Sequence, residues 1–328
     1  PCPAGKYTTL YNLTDSSECT DCPEGAFCLE GSPTFTLCPK GTYNGSPGQS
    51  SCSPCTEGNY CPEGSTTELQ CPAKTYSKAG AYECYACPAG YMCDAGTGDS
   101  AKTDCPVGYY CPEGTETSTK IVCPKGHYCE INSKEPTPCP AGTKRETAGA
   151  TSFGECVKSS PGKYTILGSY SDIGECSPGY YCPEGSHGPF MNPCPGGEYR
   201  RETAGASSGD CSACPAGSYC PLGTAEPIIC PVGYYCTAGI SEPIFCPKGK
   251  LGRELGLTQE SECTNCSEGS YCSQPGLMVA DGYCTSGYQC SEGSTSGTPA
   301  SSDCSAGGYC EPGFPGKRDC PPGSYNPD

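Results

Sequence analysis

Five pairs of cysteines stand two residues apart: Cys19 and Cys22, Cys52 and Cys55, Cys84 and Cys87, Cys211 and Cys214, Cys263 and Cys266. Thiolates at that spacing suit a zinc knuckle or a redox dithiol. Here each pair sits in an evenly spread run of cysteines, and the chain holds only two histidines, His127 and His187. Neither histidine has a Ser or Cys nucleophile signature beside it. No phosphate loop, HExxH helix or nucleophile elbow occurs. The plain reading is that the cysteines are disulfide partners, that no cofactor or metal is held, and that the chain is not an enzyme. The remaining reactive groups are three N-glycosylation sequons, at Asn12, Asn44 and Asn265. Asn12 and Asn44 fall on loops from which a glycan would project outward. Asn265 is the weaker of the three, because the middle residue of its sequon is Cys266.

The elements that position these groups repeat. A frame of two cysteines separated by five residues occurs eleven times, beginning at Cys22, Cys55, Cys87, Cys105, Cys123, Cys176, Cys214, Cys230, Cys266, Cys284 and Cys304. The third residue after the first Cys is always Gly, which supplies the positive φ of a tight turn without a steric penalty. The residue before the second Cys is usually Tyr. A longer arm, usually opening CP-x-G-x-Y, occurs six times: Cys2–Cys19, Cys38–Cys52, Cys71–Cys84, Cys139–Cys156, Cys194–Cys211 and Cys246–Cys263. Two of these arms share the string RETAGA, Arg145 to Ala150 and Arg201 to Ala206, which reads as internal duplication. From the second Cys of a short frame to the next Cys, the number of intervening residues is always odd. Adding residues in pairs keeps side chains on one face of a hairpin. Prolines after the first Cys remove donors and disfavour long sheets.

These features predict small disulfide-rich repeats in an elongated tandem array of short β-hairpins and turns, with almost no helix and no large hydrophobic core. Residues 1–328 read as one continuous array, a piece of a longer chain that begins and ends inside repeats. Residues 157–175 read as an irregular arm lacking its cysteines.

The simplest disulfide register closes each unit on itself. It joins Cys2 to Cys19, Cys22 to Cys28, Cys38 to Cys52, Cys55 to Cys61, Cys71 to Cys84, Cys87 to Cys93, Cys105 to Cys111, Cys123 to Cys129 and Cys139 to Cys156. It continues with Cys176 to Cys182, Cys194 to Cys211, Cys214 to Cys220, Cys230 to Cys236, Cys246 to Cys263, Cys266 to Cys272, Cys284 to Cys290 and Cys304 to Cys310. Cys320 is left over, its partner expected beyond Asp328. A rival register links each short frame forward, as Cys28 to Cys38, and leaves Cys2 over instead. An interlaced register is a third. Sequence alone does not choose among them. Each bond over loops this short contributes roughly 2–3 kcal/mol on the chain-entropy model.

Composition agrees. Leu, Ile, Val and Phe make up only about a tenth of the chain, too little for a packed globular core. The 35 cysteines in 328 residues mark a disulfide scaffold and an oxidising, extracellular or cell-surface setting. The net charge of −17 sets nucleic acid aside, since that partner needs a basic face. No run of alternating Asp or Asn suits a calcium loop. No long apolar stretch is present, so membrane insertion within this chain is not expected.

The strings CPAGKY (Cys2 to Tyr7), CPKGTY (Cys38 to Tyr43), CPVGYYCPEGT (Cys105 to Thr115), CPAGSYCPLGTAEP (Cys214 to Pro227) and CPPGSY (Cys320 to Tyr325) resemble the ephrin-receptor-like cysteine-rich repeat. That repeat is similar in style to the tumour-necrosis-factor-receptor module. The likeness covers the chain apart from Val157 to Glu175. An unbroken tandem run of this kind implies a glycosylated structural protein of a secreted fibre or cell coat, such as a flagellar hair (mastigoneme). Its partners would be copies of itself or other coat proteins. The alternative is the ectodomain stalk of a receptor or adhesin, with Lys158 to Glu175 as the segment to examine for ligand contact. The family carries over no catalytic residue.

Overall fold

A computed structural model describes residues 1–300 and 304–326. Among them there is no α-helix; the regular structure is two- and three-residue strands plus six single turns of 3-10 helix. The strands pair almost entirely as antiparallel hairpins within a repeat: Ala26–Phe27 with Thr36–Leu37, Tyr109–Tyr110 with Ile121–Val122, Tyr234–Tyr235 with Ile244–Phe245. One departure is Thr75–Ser77, which pairs with Tyr85–Ala86 and also takes Thr97–Gly98 as a parallel third strand.

The hairpins reveal a common numbering. Counting the first Cys of each repeat as position 0, the first strand, where one forms, covers positions 4 and 5, with Thr75–Ser77 running on to position 6. The second strand is the last two residues before the next position 0. Cys22 follows Cys2 by 20 residues and Cys38 follows Cys22 by 16, the extremes of the spacing. The first strand therefore starts before the second Cys of the short frame, so that Cys lies inside the hairpin rather than at its root. Short frames and long arms are one backbone frame carrying two kinds of staple. In a short frame, position 6 is Cys and closes on position 0. In a long arm, position 6 is another residue, and position 0 closes on a Cys two residues before the next strand ends.

The chain divides into two compact units, Pro1–Val157 with Leu167–Ser171, and Lys158–Ile166 with Asp172–Asp328. Inside the first, successive repeats are joined by a recurring set of backbone hydrogen bonds. Gly25 N donates to Asn44 O at 2.8 Å, Cys28 N to Gln49 O at 3.1 Å, Gly48 N to Cys22 O at 2.8 Å, and Cys38 N to Gly25 O at 2.8 Å. Inside the second, the same four bonds run from Gly217 N to Cys236 O, Cys220 N to Ile240 O, Gly239 N to Cys214 O and Cys230 N to Gly217 O, all at 2.8–3.0 Å. In words, position 3 donates to position 6 of the next repeat, and position 6 donates to position 10 or 11. The next repeat returns a bond from position 9 or 10 to the carbonyl of position 0. Its own position 0 donates to the carbonyl of position 3.

Position 3 is also where repeats two apart touch. A Cβ added at Gly41 would lie 2.2 Å from Gly80 O, and one at Gly197 would lie 2.3 Å from Gly239 O. With φ near +90° at both, Gly is required twice over, for the backbone angle and for the contact. The partner position, 9 or 10, is left-handed as well. There the exceptions to Gly are Asn12, Asn132 and Ala204, at φ +61°, +61° and +60°. Lys74 is the one left-handed non-glycine at position 3, at φ +74°.

Cysteine itself is the core. All the cysteines of the short frames are buried, and each small apolar cluster is built on cysteines, of short frames or, at Cys246 and Cys263, of a long arm. Tyr7 packs on Cys22, Ala26 and Cys28; Tyr235 packs on Cys246, Leu257 and Cys263. The position-5 tyrosine thus covers the disulfide of the following repeat. At the Cys246 repeat Leu251 stands in its place, fully buried against Cys266 and Cys272.

Substituting Gly41 by Ala is expected to destabilise its repeat by more than the roughly 1–2 kcal/mol that a left-handed non-glycine residue costs, because the contact with Gly80 is lost as well. Lys74→Gly and Ala204→Gly are expected to do the reverse, each adding up to about 1 kcal/mol. Guanidinium titration of the disulfide-intact variants measures both.

Candidate functional site

Chemistry in this fold is confined to its staples, its arms and its surface. The described disulfides join Cys2 to Cys19, Cys22 to Cys28, Cys38 to Cys52, and so on to Cys304 with Cys310, each closing a repeat on itself. Cys320 has no partner within the described residues and is partly exposed. The five closely spaced pairs are therefore divided between staples. Cys19 bonds backward to Cys2, and Cys22 bonds forward to Cys28. Their two-residue spacing is the width of a hairpin's second strand, Thr20–Asp21 in this case. Among the described residues, no three of His, Cys, Asp and Glu converge as a metal site. His127 is half-buried with Nδ1 3.0 Å from Lys125 O, and His187 is exposed; the structure gives them no common partner.

Sequence reasoning passed over the shared role of position 6 in the long arms, which is held by Thr8, Asn44, Ser77, Arg145, Arg200 and Gly252. They occupy the place of a disulfide sulfur and must satisfy the interior in another way. Asn44 Nδ2 donates to Ala26 O at 2.7 Å, and Ser77 Oγ donates to Asn59 O at 2.8 Å, each reaching position 4 of the preceding repeat. Arg145 turns along its own arm to Glu155 at 2.6 Å, while Arg200 donates to Asp210 O and Thr203 O at 2.9 Å. Counting six residues from the first Cys of each arm would have found them.

This placement corrects the reading of Asn44 as an outward glycan site. Asn44 is only 6% exposed, and the amide nitrogen that would carry the sugar is turned inward onto Ala26 O. Asn12 and Asn265 are exposed, Asn12 on the left-handed turn of its arm and Asn265 on a second strand with Nδ2 3.3 Å from Glu292.

The long arms share a second device. Four of them end in a carboxylate directly before the closing Cys, on a single 3-10 turn: Glu18, Glu155, Asp210 and Glu262. Each accepts from the backbone three or four residues upstream. Glu155 takes Thr151 N at 2.8 Å and Oγ1 at 2.7 Å, Glu262 takes Thr258 N at 2.7 Å, and Asp210 takes Ala206 N and Ser207 N at 2.7 and 2.9 Å. These bonds favour the ionised form. The Thr14 hydroxyl and amide hold Glu18 below the usual carboxylate range, the Thr151 amide and hydroxyl do the same to Glu155, and the Thr258 hydroxyl and amide to Glu262.

The concavities are open, the larger of them reaching about 500 Å³. One, of about 260 Å³, is lined by Tyr199, Arg200, Arg201, Glu202, Asp210 and Ser212; the terminal nitrogens of Arg200 donate to backbone carbonyls, and its Nε is buried without a partner. Nothing in it pairs a nucleophile with a base. Among the described residues no helix is long and apolar enough to cross a membrane. Comparison of the chain with protein-family models and with curated proteins finds no match. What the architecture itself defines is a class: a tandem array of small, disulfide-stapled β-hairpin repeats without a large hydrophobic core. So many disulfides point to an oxidising, extracellular or secreted environment.

Carboxylates with lowered pKa contribute stability that is present above their unfolded pKa and lost as pH falls through the folded one. Amide exchange at Thr14, Thr151 and Thr258 is therefore expected to be slow at neutral pH. Once corrected for intrinsic rates, protection should fall on acidification below about pH 4. Glu18→Gln, Glu155→Gln and Glu262→Gln should each flatten that pH dependence at their own arm. Glycosite mapping of the protein from a secreting host is expected to find sugar on Asn12 and none on Asn44; a glycan at Asn44 on folded protein would contradict its burial.

Proposed function

We propose that the chain is a structural building block of a secreted fibre or cell-surface coat, in which copies of the repeat array associate with one another or with other coat proteins. The observation that carries this reading is the backbone ladder. Within each unit the described repeats are bonded to the next through recurring main-chain groups and, with one exception among the complete repeats, each carries its own covalent staple. Such an array withstands local damage, because each repeat depends only on its near neighbours. The side chains are left free to vary on the outside. The second strands use that freedom for exposed apolar residues: Ile121 and Val122, Ile228 and Ile229, Ile244 and Phe245. Repeated patches of this kind suit heterologous contacts between copies, which build filaments when they do not close. The likeness of the CPxGxY strings to ephrin-receptor-like repeats, and through them to fibres of the mastigoneme type, is consistent with this and adds the expectation of attached glycans.

Negative-stain electron microscopy of the native, unreduced protein across a concentration series tests the proposal. Regular filaments or lateral sheets are the expected result, reduced when Ile228, Ile229, Ile244 and Phe245 are replaced by Ser. Single particles that never associate at any concentration would sink the fibre reading and favour a receptor or adhesin stalk.

A further inference from the structure

One repeat keeps the ladder and lacks the staple. Ser159 stands at position 0 and Thr165 at position 6, where a short frame has its two cysteines, and both are fully buried. The backbone bonds are those of any other repeat: Gly162 N to Cys182 O at 2.8 Å, Thr165 N to Ser186 O at 3.2 Å, Cys176 N to Gly162 O at 2.9 Å. Ser159 Oγ finds Ser186 O at 3.0 Å, but Thr165 Oγ1 is buried with no hydrogen-bond partner. The hairpin is closed by its two-residue ladder, Lys163–Tyr164 with Gly174–Glu175, and by Ser160, whose N–H and Oγ donate to the two oxygens of Asp172 at 3.2 and 2.9 Å, as Thr56 does to Glu68 in a stapled repeat. Leu167 and Tyr170, on its tip, are 64% and 60% exposed.

In a repeat array, local stability is the sum of each repeat's intrinsic term and its interfaces. Here the bonds to the following repeat match those of other repeats, the covalent constraint on the opened state is gone, and an orphan hydroxyl favours opening. We infer that residues 159–175 are a built-in opening point, and that the tip is a cleavage site for an extracellular endoprotease that prefers large apolar residues. Hydrolysis adds one water: its oxygen joins the acyl carbon of Leu167 or Tyr170, the C–N bond breaks, and the leaving amine takes the proton. No described disulfide spans residues 157–175, so one cut releases two separately stapled pieces.

Other apolar residues supply the controls. Tyr11 is 93% exposed inside the loop closed by Cys2–Cys19, and Phe153 lies inside the loop closed by Cys139–Cys156. Phe190, 64% exposed, lies on a hairpin that a staple anchors at Cys176–Cys182. The test is limited chymotrypsin digestion of the disulfide-intact chain, followed on non-reducing gels and by mass spectrometry. The first cut is expected after Leu167 or Tyr170, with the two pieces separating without reductant. The double variant Ser159→Cys, Thr165→Cys, shown by thiol titration to have gained a bond, should slow that cut at least tenfold and leave other cuts unchanged. A first cut at Tyr11, Phe153 or Phe190, or no slowing by the new bond, overturns the inference. Should the new bond fail to form, hydrogen exchange of the unaltered chain decides. Residues 163–175 must exchange faster than the matching strands at 180–181 and 192–193, and equal rates overturn the inference.

Discussion

The structure depends on the backbone of one residue per repeat, the glycine three places after the first cysteine. Its N–H and its C=O each bond to the following repeat, as when Gly25 donates to Asn44 and accepts from Cys38. Its Cα is covered by a carbonyl from two repeats further on. Positive φ aims both polar groups forward, and the absence of a side chain permits the close approach. The rest of the repeat is arranged around that contact. Proline before it sets the turn, two strand residues after it carry the chain outward, and the hairpin returns it to the next cysteine.

Disulfides serve this frame in place of a core. Strands of two residues bury almost no side-chain surface, and an isolated hairpin of that size is not stable in water. A bond from position 0, whether to position 6 or to the end of the arm, limits the opened states of each repeat instead. Having two kinds of staple widens what a repeat can be. Where sulfur occupies position 6, the interior is satisfied by the bond. Where the staple moves out to the end of an arm, Asn44 or Ser77 fills the gap with a hydrogen bond to the previous repeat. The four other arms are finished by a carboxylate that gathers free amides before the closing cysteine.

This division of labour is compatible with an extracellular structural protein. Main-chain groups and cysteines hold the array together, so the variable side chains lie outside and individually bear little of the fold. Repeated apolar residues on second strands offer the same contact many times over.

Much of this was legible from spacing alone. Cysteine content, the invariant Gly and the odd gaps defined small stapled hairpins, because the length of a closed loop and the backbone angle of a turn are local properties. Register was not local. RETAGA at Arg145 and at Arg201 looks like one element used twice, yet Arg145 sits at position 6 and Arg201 at position 7 of their repeats. Gly149 consequently takes the left-handed position 10 in one arm, and Ala204 must take it in the other. Asn44 reads as a surface sequon for the same reason: only the neighbouring repeat, by presenting Ala26 O, turns it inward. Sequence determined the unit, because its turns and loops are set by residues close together in the chain. Tertiary structure decided which residue fills each place in the ladder, because those hydrogen bonds come from the next repeat and the one beyond it.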